Sequence, residues 1–167
     1  IFFPLFMTGY VIADLLLDND WFGVEQILIG SASSKTGFST AAFIRAAGFQ
    51  GAIAGLTSDQ NVAFSEALGC YDRVVSYSEV GSVANEPSAY IDIAGDVEVR
   101  SRLHRSLQNN AAHTLLVGAT HWDQFGQSVG GGPLPGNEPQ VFFAPAQIEK
   151  RDGEWGRGVI MDKAYAA

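Results

Sequence analysis

With 167 residues, 47% of them hydrophobic and 17% charged, the chain can bury a full core and does not have the composition of a disordered protein. The net charge of −8, with no cluster of lysine or arginine, excludes nucleic acid and anionic membranes as expected partners. The single cysteine, Cys70, excludes an internal disulfide framework and suits a reducing compartment, so we expect a cytoplasmic protein. The apolar start lacks Met and is too short to span a bilayer, so we expect a piece of a longer protein.

Apolar runs alternate with helix-period patterns along the chain. In chain order they predict a helix at 8–17, a strand at 26–29, a helix at 36–47, a strand at 52–56, a helix from 57 or 58 to 68, strands at 73–76 and 89–93, a helix at 96–107, a strand at 114–117, a Gly/Pro-rich loop at 126–139, a strand at 140–143 and a short helix from 145 to 150. This alternation is typical of one α/β domain with a doubly wound, mostly parallel, Rossmann-like sheet. Ligands of such sheets bind at the carboxyl ends of the strands.

The first strand ends in a turn that reads Gly-Ser-Ala-Ser-Ser-Lys-Thr-Gly, residues 30–37. It does not fit the P-loop of nucleoside triphosphatases, because Gly30 stands five residues before Lys35 where that motif requires six. The three glycines of the dinucleotide fingerprint fall on Ala32, Ser34 and Gly37, and only the last is kept. The context still fits, because a strand precedes the turn, a helix follows it and a second strand comes about 20 residues later.

A dinucleotide in this turn would receive the amides and the positive dipole end of the following helix. Ser33, Ser34 and Thr36 add hydroxyl groups, and Lys35 adds a positive charge. The alternative is that the serines only cap the helix, which would not explain Lys35.

The end of the second strand predicts which ribose the site would take. A cofactor with a free 2′-hydroxyl calls for an acidic residue there, but the strand ends in Thr57 and Ser58 and the first acid, Asp59, comes late. Two hydroxyls without an adjacent carboxylate favour a 2′-phosphate, so we predict NADP(H) as the cofactor.

On these residues the chain resembles the nucleotide-binding domain of the medium-chain dehydrogenase/reductase superfamily, in its zinc-independent, quinone-reductase-like branch. Within that branch it is most similar to a bacterial subgroup with a serine-rich first turn. The likeness covers about residues 3–145. It rests on the turn at 31–37 and on the segments Ala63-Phe64, Leu68-Gly69, Val74-Val75-Ser76-Tyr77, Tyr90-Ile91-Asp92 with Gly95, and Leu115 to Thr120 with the following His121-Trp122-Asp123.

The resemblance implies a dinucleotide fold, a preference for NADP and a missing N-terminal barrel that holds much of the substrate pocket. Ser58 and Tyr77 match the family's serine and tyrosine around the 2′-phosphate, whereas Asn61 stands where the family has lysine. Gly118 ends the fifth strand beside the expected cofactor. His121 and Trp122 follow where family members face the nicotinamide, and the alternative is that Trp122 packs under the glycine-rich loop with His121 in solvent.

Several other polar residues are interpreted as structural. Asp92 is expected to hold a loop backbone rather than a ribose, His104 and His113 to lie on the surface, and Cys70 to belong to the core. No spacing of His, Cys or acidic residues indicates a metal site, so we expect no metal.

The leading hypothesis is an NADP-dependent oxidoreductase that transfers a hydride to or from a carbonyl or an activated alkene, with no catalytic acid or base assigned to this chain. The alternative is a catalytically inactive, reductase-like binding or assembly module. We also predict a homodimer through the edge strand at Val141, because Phe142 and Phe143 point to opposite faces that both require cover. The alternative is that the segment after Pro145 folds back over this strand.

Overall fold

The computed structural model describes residues 3–118 and 133–167. Its helices are α1 (Phe3–Asp18), α2 (Lys35–Ala46), α3 (Val62–Ala67), α4 (Val97–Leu107), α5 (Ala144–Trp155) and α6 (Val159–Ala166). Its strands are β1 (Gln26–Ile29), β2 (Ala52–Thr57), β3 (Arg73–Ser76), β4 (Ser88–Asp92), β5 (Ala111–Leu116) and β6 (Gln140–Val141). Within the described ranges, no helix has the length and apolar character that crossing a bilayer requires.

The six strands form one sheet in the order β3-β2-β1-β4-β5-β6, and all five pairings are parallel. Strands β1, β2 and β3 are therefore added in one direction. After β3 the chain returns to the middle of the sheet and adds β4 on the other side of β1. This confirms the doubly wound, Rossmann-like sheet that the sequence predicts, and it places the switch point between β1 and β4.

Both faces of the sheet are covered, because successive strand residues point to opposite sides. Ile27 and Ile29 face the layer of α1 and α2, whereas Leu28 between them faces the layer of α4, and all three are fully buried. Helices α1 and α2 pack closely where Gly9 lies against α2, since a Cβ at Gly9 would be 2.6 Å from the Ser39 hydroxyl.

The edge strand β6 pairs only with β5 among the described strands. The amide of Phe142 donates to Leu116 on β5 at 2.9 Å, so the amide of Val141 points away from the sheet. Phe142 is buried, but Phe143 is 56% exposed. The chain itself therefore covers the face of Phe142 and leaves that of Phe143 exposed, and the homodimer stays a prediction.

The segment after Pro145 forms a longer helix than predicted and packs against α1. Arg151 on α5 pairs with the buried carboxylate of Asp14 on α1 at 2.8 Å, and Gln147 donates to the same carboxylate at 2.6 Å. The last helix, α6, was not predicted from the sequence. It contributes the fully buried Ile160 to the core that contains α1.

Two histidines predicted on the surface are buried instead. His104 bonds the Thr114 hydroxyl and the Pro135 carbonyl oxygen through its two ring nitrogens, both at 2.8 Å. His113 is 8% exposed and stacks on Phe22 with ring centroids 3.7 Å apart. Burial lowers the pKa of both imidazoles, so both rings favour the neutral form.

Candidate dinucleotide-binding site

A tight turn, residues 30–34, joins β1 to α2 at the carboxyl edge of the sheet. Ser31 has a positive φ of +51°, which starts the turn in the left-handed region. Ser34 is the N-cap of α2, and its hydroxyl accepts a hydrogen bond from the Gly37 amide at 3.0 Å. Lys35 is the first residue of α2 and is exposed, so it lies at the positive end of the helix dipole.

The β1–α2 turn lies close to β2 because a glycine stands on that strand. Ala32 occupies the first fingerprint position and is fully buried. A Cβ at Gly55 would lie 2.7 Å from the Cβ of Ala32, so the methyl group in the turn fits only because residue 55 has none. Gly37 is needed where the fingerprint expects a glycine, since a Cβ there would overlap the Ser31 carbonyl oxygen.

Two tyrosines hold the backbone of this turn. The Tyr77 hydroxyl accepts a hydrogen bond from the Ser31 amide at 2.8 Å, and the Tyr71 hydroxyl donates to the Ala32 carbonyl oxygen at 2.8 Å. Burial raises the pKa of Tyr71, so this hydroxyl keeps its proton. Tyr77, predicted to contact the 2′-phosphate, therefore lies between the turn and the end of β3.

A shallow groove lies beside the turn, between the carboxyl ends of β2 and β3. Its lining residues are Ser58, Asp59, Gln60, Tyr77 and Ser78. The Asp59 carboxylate accepts hydrogen bonds from Ser76, with a very short contact, and from Ser78 at 3.0 Å. These hydroxyls, that of Ser76 foremost, lower the pKa of Asp59, so its side chain is ionised at neutral pH.

Asp59, the acid that comes late after the second strand, lines this groove. A short 3-10 turn, Asp59–Asn61, follows β2 directly and directs the carboxylate back toward β3. The signal that could have found it is an acidic residue within three positions of a predicted strand end.

The end of β4 is held by a buried ion pair. Asp92 and Arg100 lie 2.5 Å apart, and their side chains are almost fully excluded from solvent. Asp92 also accepts a hydrogen bond from the Gly95 amide at 2.8 Å. The structural role expected for Asp92, holding the loop after its strand, is therefore confirmed.

Gly118 follows β5 at the same edge of the sheet and has a φ of +76°, which favours glycine. The amide of the preceding residue, Val117, donates to the Asp92 carbonyl oxygen at 2.9 Å. His121 and Trp122, the predicted nicotinamide contacts, lie outside the described residues.

The structure brings the other predicted site residues to one edge of the sheet. They are Ser33 and Ser34 in the turn, Lys35 and Thr36 at the start of α2, Thr57 and Ser58 at the end of β2, Tyr77 after β3 and Gly118 after β5. Thr57 is buried, and its hydroxyl lies 3.5 Å from that of Ser33. Within the described ranges, no group of three His, Cys, Asp or Glu side chains could hold a metal ion.

Solved structures share this fold. YhdH of Escherichia coli K-12 with bound NADPH is 17% identical with a TM-score of 0.57, over 92% of this chain and 49% of that one. The quinone oxidoreductase of Thermus thermophilus, also solved with NADPH, is 15% identical with a TM-score of 0.58, over 96% and 48%. YhfP of Bacillus subtilis with bound NAD is 13% identical with a TM-score of 0.53, over 92% and 51%.

These similarities confirm, at the level of the fold, the resemblance to the nucleotide-binding part of medium-chain reductases. The chain spans about half the length of each of these structures. No curated protein sequence matches it. One family model matches all of residues 1–167, and the chain accordingly belongs to the family described as "Protein of unknown function (DUF2855)".

Proposed function

We propose that this chain is the dinucleotide-binding domain of an oxidoreductase that transfers a hydride between a nicotinamide cofactor and a carbonyl compound or an activated alkene. The observation that carries the proposal is the capped helix N-terminus at the switch point, with the groove beside it. The shared fold with proteins solved with NADPH or NAD supports it. No substrate pocket or catalytic group is assigned to this chain, which spans about half the length of those structures.

Each part of the site has a defined task in this proposal. The N-terminus of α2 and the ammonium of Lys35 bind the pyrophosphate, because both present positive charge at the turn. The groove beside Ser58 and Tyr77 binds the adenosine ribose. The bound cofactor supplies the hydride, and the protein orients it.

A second candidate function is a reductase-like module without turnover. It is favoured by the turn itself, in which four amides already donate within the chain. The Ser31 amide donates to Tyr77, that of Ala32 to Leu56, that of Ser34 to Ser31, and that of Gly37 to the Ser34 hydroxyl. A turn that satisfies its own amides has fewer donors to offer a phosphate.

Calorimetric titration of the purified protein with NADH and with NADPH separates these functions. We expect at least one of them to bind, and Lys35→Ala to weaken that binding about three- to tenfold at low salt and less at high salt. Arg157→Ala is the matched control, because it removes one exposed positive charge far along the chain from the turn. Absence of binding by both cofactors would favour the inactive module, and an unchanged affinity in Lys35→Ala would remove Lys35 from the site.

A further inference from the structure

The groove between β2 and β3 is where the ribose of a bound dinucleotide would lie. It adjoins the β1–α2 turn, because Tyr77 lines the groove and its hydroxyl bonds the Ser31 amide. A dinucleotide whose pyrophosphate rests on the N-terminus of α2 therefore extends its adenosine half along Ser58 and Asp59.

The groove presents a negative charge to that ribose. Asp59 is exposed, and the hydroxyls of Ser76 and Ser78 hold its carboxylate toward the end of β3. No lysine or arginine lines the groove in the described part of the chain. The guanidinium of Arg102, on α4, donates to the carbonyl oxygens of Tyr77 and Ser78, both at 3.0 Å.

The residue at the position of the family's lysine supplies no charge either. Asn61 donates through its side-chain amide to the Ser58 hydroxyl at 3.0 Å, so it holds the turn after β2. A 2′-phosphate in this groove would face the Asp59 carboxylate without a compensating cation from the lining residues.

We infer that Asp59 determines the cofactor specificity of this site and selects NAD(H), whose free 2′-hydroxyl can donate to the carboxylate, over NADP(H), whose 2′-phosphate it repels. The inference rests on the proposed function, since it assigns a preference within the same site. It reverses the preference for NADP(H) expected from the sequence, where Asp59 comes late after the strand end. The 3-10 turn brings Asp59 into the groove.

The test is a calorimetric comparison of NADH and NADPH affinities in four proteins: the wild type, Asp59→Asn, Asp59→Ser and Glu66→Gln. Glu66 is an exposed acid on the neighbouring α3 and does not line the groove, so its variant changes the net charge equally. We expect wild-type protein to bind NADH at least about tenfold more tightly than NADPH. Both Asp59 variants should narrow that ratio by about tenfold, chiefly through tighter NADPH binding, and Glu66→Gln should leave it unchanged.

The two variants at position 59 keep the test decisive if one of them folds poorly. Equal affinities in the wild type, a preference for NADPH, or a ratio that neither Asp59 variant changes would overturn the inference while leaving dinucleotide binding intact. If neither cofactor binds to any of the four proteins, the proposed function itself fails, and this inference fails with it.

Discussion

Replacing Gly55 by alanine should drive β2 and the β1–α2 turn apart. The added Cβ would lie 2.7 Å from the Cβ of Ala32, whereas carbon atoms pack best at about 3.5 to 4.0 Å, so the two segments must separate by about 1 Å. Such overpacking typically costs about 1 to 3 kcal/mol, and the reduced chain entropy of alanine offsets about 0.5 to 1 kcal/mol of it. We expect a net loss of about 0.5 to 2 kcal/mol in the free energy of unfolding.

Moving the glycine back into the turn should relieve this strain. Ala32→Gly alone should cost about 1.5 kcal/mol, because it removes a buried methyl group and adds chain entropy. In Ala32→Gly combined with Gly55→Ala the methyl group has only moved from the turn to β2, so the loss should be about 0.5 to 1 kcal/mol instead of the sum of the two. The Tyr71 ring, whose Cδ atoms would lie 3.1 Å from the new Cβ, is the remaining close contact.

Urea unfolding of the four proteins measures this double-mutant cycle, and thermal unfolding should show about 2 to 4 °C per kcal/mol. Gly153→Ala, on α5, is the control, because a Cβ at Gly153 meets no atom within 4 Å. This substitution should stabilise the helix by about 0.5 to 1 kcal/mol. Losses that simply add, or a Gly55→Ala protein as stable as the wild type, would refute the proposed compensation between turn and strand.

Three further predictions concern the core, the histidines and the edge strand. Arg100→Met should lower the free energy of unfolding by about 3 to 5 kcal/mol, measured in urea, because it leaves the buried Asp92 carboxylate without its partner. Stability should fall as the pH drops through about 6.5, since the unfolded chain then takes up protons that the buried, neutral His104 and His113 resist in the folded state. In unfolding experiments across this pH range, His113→Phe should remove only the part of the pH dependence of stability that His113 contributes. An unchanged pH dependence would contradict its assignment to the buried histidines. Light scattering should show twice the monomer mass for the wild type and the monomer mass for Val141→Pro, whose proline removes an outward-facing amide; a monomeric wild type would end the dimer prediction.

Much of the fold could be predicted from the sequence because it depends on local patterns. A strand buried on both faces is a continuous apolar run, as in residues 27–29, and all six predicted strands are present with ends shifted by a few residues. Gly48 and Gly69 directly follow the predicted helices that end at residues 47 and 68, and both have the positive φ values typical of such positions. His104 was also open to prediction, because it shares a helical face with the buried Leu103 and Leu107.

Contacts between distant segments were decided only by the tertiary structure. Local periodicity tells which residues face inward, but not which side chain on a neighbouring strand they meet. The fit of Ala32 against Gly55 joins residues 23 positions apart, and the stacking of His113 on Phe22 joins residues 91 apart. The position of Asp59 depends likewise on hydroxyl groups from β3 and the segment after it, so the charge of the groove emerges only when the ends of β2 and β3 lie side by side.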